Sequence, residues 1–270
     1  MHRRTKLTAT LPLLILLWAC ASQPETHAGA TGSTTVASAA EDANAPLVRQ
    51  AAALIGAKKP AQALPFAQQA IAGYEKQFRQ DTVLSYSARS LAETLWYASE
   101  GARTQTSARV HGPEWGQAYF LAGFALVDLH RIPEAKQAFD AAIRLSPRNS
   151  QYLSERAQID AIEHHWQASL DRFKTALDAA QITPPESKTA ETTRALRGMA
   201  FARLELGDFE AAEALHERVL ELDPGNTVSK NELRYIQTQI QRRARATASP
   251  VAAPPAALPM LAPDDPRVAR

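Results

Sequence analysis

Cys20 is the single cysteine of the chain. A thiol nucleophile, a thiolate metal site and a disulfide within the chain would all have to use it, and a lone thiol cannot close a bridge by itself. It ends the run Leu17-Trp18-Ala19-Cys20. The other reactive side chains are scattered. Glu163-His164-His165 gathers one carboxylate and two imidazoles, but adjacent residues on a helix point in different directions, and helical ligand pairs need i,i+3 or i,i+4 spacing. His111, His130 and His216 stand apart without a partner pattern, which reads as surface or second-helix residues. Glu210 with Glu213, and Glu217 with Glu221, have the spacing of solvated helix faces. There is no Gly-x-Ser-x-Gly, no glycine-rich phosphate loop and no His-Glu-x-x-His. The expectation is a protein that is not an enzyme, with no metal, no cofactor and no small-molecule substrate.

The segment ahead of Cys20 gives the thiol a different use. Residues 1–6 carry Arg3, Arg4 and Lys6 and no acid, and Leu11 to Trp18 form a short apolar core. That is the pattern of a secretory signal, and it is too short to span a bilayer. Leu17-Trp18-Ala19-Cys20 is similar to the bacterial lipobox. The resemblance implies a diacylglycerol on the Cys20 thiol, cleavage before Cys20, and acylation of the new amine. One acyl chain holds a protein only marginally at a membrane, whereas several hold it stably. Ala21 and Ser22 follow in place of an Asp, which resembles the lipoproteins sent to the outer membrane. The expected location is the bacterial cell envelope, lipid-anchored and facing the periplasm. The alternative reading is an ordinary signal cut near Ala21, with Cys20 lost.

Removing residues 1–19 takes away three basic residues and no acid. The Lys/Arg to Asp/Glu balance falls from 30 against 28 to 27 against 28. Bulk charge therefore gives no case for nucleic acid. The remainder is rich in alanine and has few β-branched runs, so it reads as all-helical. Residues 20–45 are the candidate anchor and a small, polar tether. Residues 245–270 hold Pro250, Pro254, Pro255, Pro259, Pro263 and Pro266 and read as a disordered tail, because proline cannot continue a helix. The folded part is expected over 46–244.

A period of 34 runs through that part. It separates Ala108, Ala142 and Ala176, and it separates Phe139 from Phe173 and Pro113 from Pro147. The segment 116–149 resembles the tetratricopeptide (TPR) consensus at Tyr119, Gly123, Ala135, Phe139, Ala142 and Pro147. The segment 193–226 does so at Ala200, Gly207, Asp208, Phe209, Ala212, Leu220 and Pro224. Weaker units are placed at 44–77, 82–115 and 150–183, and an amphipathic cap at 227–244. Gly123 and Ala200 on first helices, with Ala135 and Ala212 on second helices, are small where the helices cross. Gly207-Asp208 makes the turn between helices. Residues 184–192 are longer than a normal junction, so a bend or a projecting loop is expected there. The resemblance implies an all-α TPR superhelix, a right-handed solenoid of about four to five repeats.

The same resemblance assigns the first helix of each unit to the inner, concave groove. In 116–149 the groove positions are Gln117, Phe120, Phe124, Val127 and Asp128. In 150–183 they are Gln151, Ser154, Gln158 and Ala161, and in 193–226 they are Arg194, Arg197, Phe201, Leu204 and Glu205. Phe120, Phe124 and Phe201 are candidate aromatic anchors, and Arg194 and Arg197 candidate carboxylate receptors. The functional expectation is a membrane-anchored adaptor for protein partners in envelope assembly: pilus, secretion, outer-membrane or cell-wall machinery. The alternative is a glycan-binding accessory subunit that uses Trp115, Tyr119 and Phe120.

Overall fold

The computed structural model describes residues 42–78, 83–104 and 106–248, with side chains to residue 245. The expected signal segment 1–19, Cys20, the tether before residue 42 and the tail beyond residue 248 lie outside the described residues. Ten α-helices dominate what is described, and the only strands among the described residues are two short ones. Two compact units result. One holds the described residues up to Arg89 with Thr94–Ser146; the other holds Ser90–Glu93 with the residues from Pro147 onward.

In the first unit, α1 (Ala45–Gly56) and α2 (Pro60–Phe78) form a hairpin, and so do α4 (Glu114–Asp128) and α5 (Ile132–Leu145). Helix α4 packs against both α1 and α2, so the second hairpin stacks on the first. Asp42 fixes the entry to α1. Its carboxylate accepts from the backbone N–H of Asn44 at 2.9 Å and from the Tyr74 hydroxyl at 2.6 Å. At the crossing of α4 and α5, Gly123 lies under Phe139: a Cβ there would stand 2.7 Å from the ring.

The unit expected at 82–115 is not a helical hairpin. It folds as β1 (Leu84–Ser87), α3 (Leu91–Arg103) and β2 (Ala108–His111). The strands pair in parallel, with Leu84 opposite Ala108 and Ser87 opposite His111. The consensus residues counted there serve another purpose. A Cβ on Gly101 would lie 2.5 Å from the Ala108 Cβ, so these two small residues let α3 press on β2. Tyr86 stacks on Tyr97 at 5.1 Å, and Trp96 meets Tyr97 edge-on at 5.6 Å. A two-stranded sheet is marginal alone. Here Ser146 Oγ donates to the Ser87 carbonyl at 2.7 Å, tying β1 to the end of α5.

In the second unit, α6 (Ser150–Ile162) pairs with α7 (Trp166–Ala179), and α8 (Pro185–Glu205) with α9 (Phe209–Leu222); α10 (Thr227–Ala248) closes on α9. Residues 184–192 do not project as a loop. Pro185 begins α8, and the stretch adds turns to its N-terminal end, since proline suits the first helical position. Thr183 Oγ1 donates to Glu191 Oε2 at 2.8 Å, both residues buried, pinning the added turns. Ser169 stands where the repeat prefers alanine, and its buried hydroxyl donates to the Ala157 carbonyl at 3.0 Å. The cap extends past its expected end at 244, to Ala248.

All four hairpin turns share one geometry. Lys58, His130, His164 and Gly207 have φ of 56°, 58°, 60° and 84°. The next backbone N–H reaches back five residues each time: Lys59 to Leu54, Arg131 to Leu126, His165 to Asp160 and Asp208 to Arg203, at 2.8–2.9 Å. The left-handed residue itself donates three residues back. This is the Schellman helix stop, repeated once per hairpin.

Candidate functional site

The expected groove residues divide sharply by burial. Phe120 is only 8 % exposed and lies 5.9 Å, ring to ring, from both Phe139 and Phe124. It belongs to the α4/α5 core, because its stripe on α4 turns toward Phe139. Ser154 and Ala161 are likewise buried. Gln117, Phe124, Val127 and Asp128 are half-buried on α4, and burial raises the Asp128 carboxyl above its ordinary value. The residues named for glycan stacking do not form a platform. Trp115 and Phe120 are buried, and the Tyr119 hydroxyl donates to Glu75.

The second unit keeps its expected residues together. On α6, Gln151, Glu155 and Gln158 recur at helical spacing, as Arg194, Arg197, Phe201 and Glu205 do on α8. The two stripes meet where Arg194 pairs with Glu155. Burial pushes the Glu155 carboxyl up, against the pull of Arg194. Gln158 and Glu205 are exposed; Arg197, Phe201 and Leu204 are half-buried. Trp166, at the start of α7, meets the edge of Phe201 at 5.8 Å.

Arg197 is the unusual member. Among the described residues its guanidinium has no hydrogen bond and no ion pair. Burial, together with repulsion from Arg194, holds it below the ordinary arginine value, and Asp223 opposes the shift. An arginine still stays protonated near neutral pH. The result is a partly desolvated cation on the same helix stripe as a half-exposed phenyl ring. A carboxylate entering from solvent would complete it with two parallel hydrogen bonds.

The Glu163-His164-His165 cluster is a helix stop. His164 takes the left-handed position, and His165 lies 3.4 Å from Glu163. Asp160, Glu163 and His165 bring three potential ligand atoms within 4.8 Å of one another. Asp160 is already held on both oxygens, however, by buried Arg156 at 2.7 Å and by Arg172 at 2.6 Å. This is an arginine-bridged carboxylate joining α6 to α7. His216 does lie on a second helix, α9, as its place in the repeat implies, but it is not a surface residue. It is buried, with Nδ1 3.1 Å from the buried Ser229 hydroxyl of α10.

Residues 116–149, which fold as α4 and α5, match the tetratricopeptide repeat family model. With the stacked hairpins of both units, this gives the chain an all-α fold built of TPR-type hairpins. Several solved structures are similar to it. MamA from Desulfovibrio magneticus RS-1 is 14 % identical, with 76 % of this chain and 90 % of that chain covered and a TM-score of 0.49. The TPR protein TTC0263 of Thermus thermophilus is 18 % identical, with 73 % and 100 % covered and a TM-score of 0.41. The first TPR of Spaghetti (RPAP3), bound to the HSP90 peptide SRMEEVD, is 23 % identical, with 47 % and 95 % covered and a TM-score of 0.41. No curated protein matches the chain. The repeat supports a role in protein–protein interaction, as an adaptor or scaffold.

Proposed function

We propose that this chain is a lipid-anchored adaptor of the bacterial envelope that holds protein partners during assembly of a pilus, secretion, outer-membrane or cell-wall machine. The partner lies along α6 and α8 of the second unit and presents an acidic side chain or a terminal carboxylate to Arg197. The observation that carries this reading is the Arg197 guanidinium, half-buried and without a hydrogen bond or ion pair among the described residues. A charge kept partly out of water without a partner is costly, and an incoming anion recovers that cost. Phe201 supplies apolar area and Gln158 an adaptable amide on the neighbouring helix. The anchor rests on the lipobox-like run ending at Cys20.

Affinity capture from cross-linked envelopes tests the surface. Arg197→Ala and Gln158→Ala together should cut recovery of the specific partner by about tenfold or more, since a desolvated charge-assisted contact contributes about 1.5–3 kcal/mol. Equal recovery from the variant and the wild type would remove the α6/α8 surface from the mechanism.

A further inference from the structure

Helix α10 carries a segregated charge that the hairpin packing does not use. Its inner side holds buried Ser229 and Ile236, with Arg243 seated 4.0 Å over the Phe209 ring and donating to the Gly207 carbonyl at 3.1 Å. Its outer side presents Lys230, Arg234, Arg242 and Arg245, all exposed. At 3.6 residues per turn these four fall within about one third of the circumference, directly away from α9, along about 22 Å of axis. The residues between them on that side are Asn231, Thr238 and Gln241. None is acidic. Among the described residues the side chains of Lys230, Arg242 and Arg245 make no hydrogen bond or ion pair, and the Arg234 guanidinium reaches only the Asn231 side chain of its own helix. The one acid of α10, Glu232, is half-buried off the strip. On α9, Glu213 accepts from Gln237, which lies off the strip, at 3.0 Å.

We infer that the outer side of α10 is an electrostatic docking strip for an anionic phospholipid surface. Apart from residues 1–19 the chain is close to neutral, so four cations on one helix side are a local concentration and not a bulk property. The strip is convex and has no apolar centre, which a protein interface needs. A fluid layer of phosphate headgroups needs none, because it adapts to the charges, and guanidinium forks match phosphate oxygens. The inference takes its source of lipid from the envelope reading above. It adds an orientation: the second unit would lie with α10 against the membrane, and a second membrane signal would join the acyl anchor.

The test uses the chain from residue 20 onward with Cys20→Ser, which keeps every described residue and removes the acyl chains. It is sedimented with vesicles of phosphatidylcholine, with and without about one third phosphatidylglycerol. The wild type should pellet with the anionic vesicles at low salt and be released at about 1 M salt, where the screening length is about 3 Å. Arg234→Gln, Arg242→Gln and Arg245→Gln together should lower partitioning roughly 100-fold, at about fivefold per charge near a lipid surface. The matching triple lysine variant should stay within about fivefold of wild type, and both should keep the wild-type circular dichroism. Equal pelleting of the glutamine variant, or equal binding to neutral vesicles, would overturn the inference. So would binding to polyglutamate or duplex DNA without binding to vesicles, or full displacement by inorganic phosphate at constant ionic strength. Partner capture by the Arg197 surface is independent of α10, so either idea can fail alone.

Discussion

His130 and His164 occupy the same left-handed position in two hairpin turns, 34 residues apart, with φ of 58° and 60°. Neither is placed there for imidazole chemistry. Each is the residue after a helix end whose backbone N–H must turn back to the last free carbonyls. Gly207 holds the equivalent position at no steric cost, whereas a side chain with a Cβ pays for the left-handed region.

His130→Gly and His164→Gly should therefore stabilise the protein. The left-handed conformation costs a non-glycine residue about 1–2 kcal/mol, and part of that is offset by the extra freedom glycine adds to the unfolded chain. A gain of roughly 0.5–1 kcal/mol per site is expected in urea denaturation. Gly207→Ala should lose a comparable amount. A loss at both histidines would mean that the imidazoles make contacts worth more than the backbone strain.

Gly198 and Phe173 set the spacing between the two hairpins of the second unit. A Cβ on Gly198 would stand 2.2 Å from the Phe173 ring, which leaves the ring no room on α8. Alanine gains about 1 kcal/mol of helix propensity over glycine, but overpacking costs about 1–3 kcal/mol. Gly198→Ala should be net destabilising, and adding Phe173→Leu should recover part of the loss. Gly56, with nothing within 4 Å of its Cβ position, is the control: Gly56→Ala should show the propensity gain alone. A Gly198→Ala protein more stable than wild type would refute the close approach.

These pairs show what the sequence could and could not disclose. The hairpins at 116–149 and 193–226 were legible because glycine, alanine and phenylalanine fall where helices cross, and packing leaves little choice there. The 82–115 segment misled for the same reason. Small residues such as Gly101 and Ala108 also let a helix approach a strand, and the strands Leu84–Ser87 and Ala108–His111 are too short to show a two-residue period. The turn was legible at Gly207 and hidden at Lys58, His130 and His164, which share its backbone conformation but not its side chain. Of the site, the grouping of Arg194, Arg197, Phe201 and Glu205 on one helix came from the resemblance to the repeat, which assigns them to a first helix. The burial of Phe120 was not, because an amphipathic pattern does not say how far a stripe rotates toward its partner helix.

The anchor assignment at Cys20 has a direct check. Cys20→Ser should abolish incorporation of labelled palmitate and move most of the protein out of the tightly bound membrane fraction, because removing the acyl chains leaves only weak electrostatic attachment. Unchanged labelling would end the lipoprotein reading and leave the helical hairpins as described.

His216 gives the C-terminal cap a defined acid sensitivity. Burial between α9 and α10 and the charge of Arg197 hold its pKa at about 4, against an ordinary 6.5. Between those values the unfolded chain binds a proton that the folded chain refuses, so stability falls as the pH falls. The contribution is fully present above about pH 6.5, declines through that window and is exhausted near pH 4, for a loss of about 3 kcal/mol. Urea denaturation of wild type and His216→Leu at a series of pH values isolates it from the carboxylates, which titrate in both proteins. The wild type should lose about 3 kcal/mol relative to the variant between pH 7 and pH 4, because leucine takes up no proton. A stability difference that stays constant with pH would mean that His216 is protonated as readily in the folded protein as in the unfolded one, and that the cap over it opens to water.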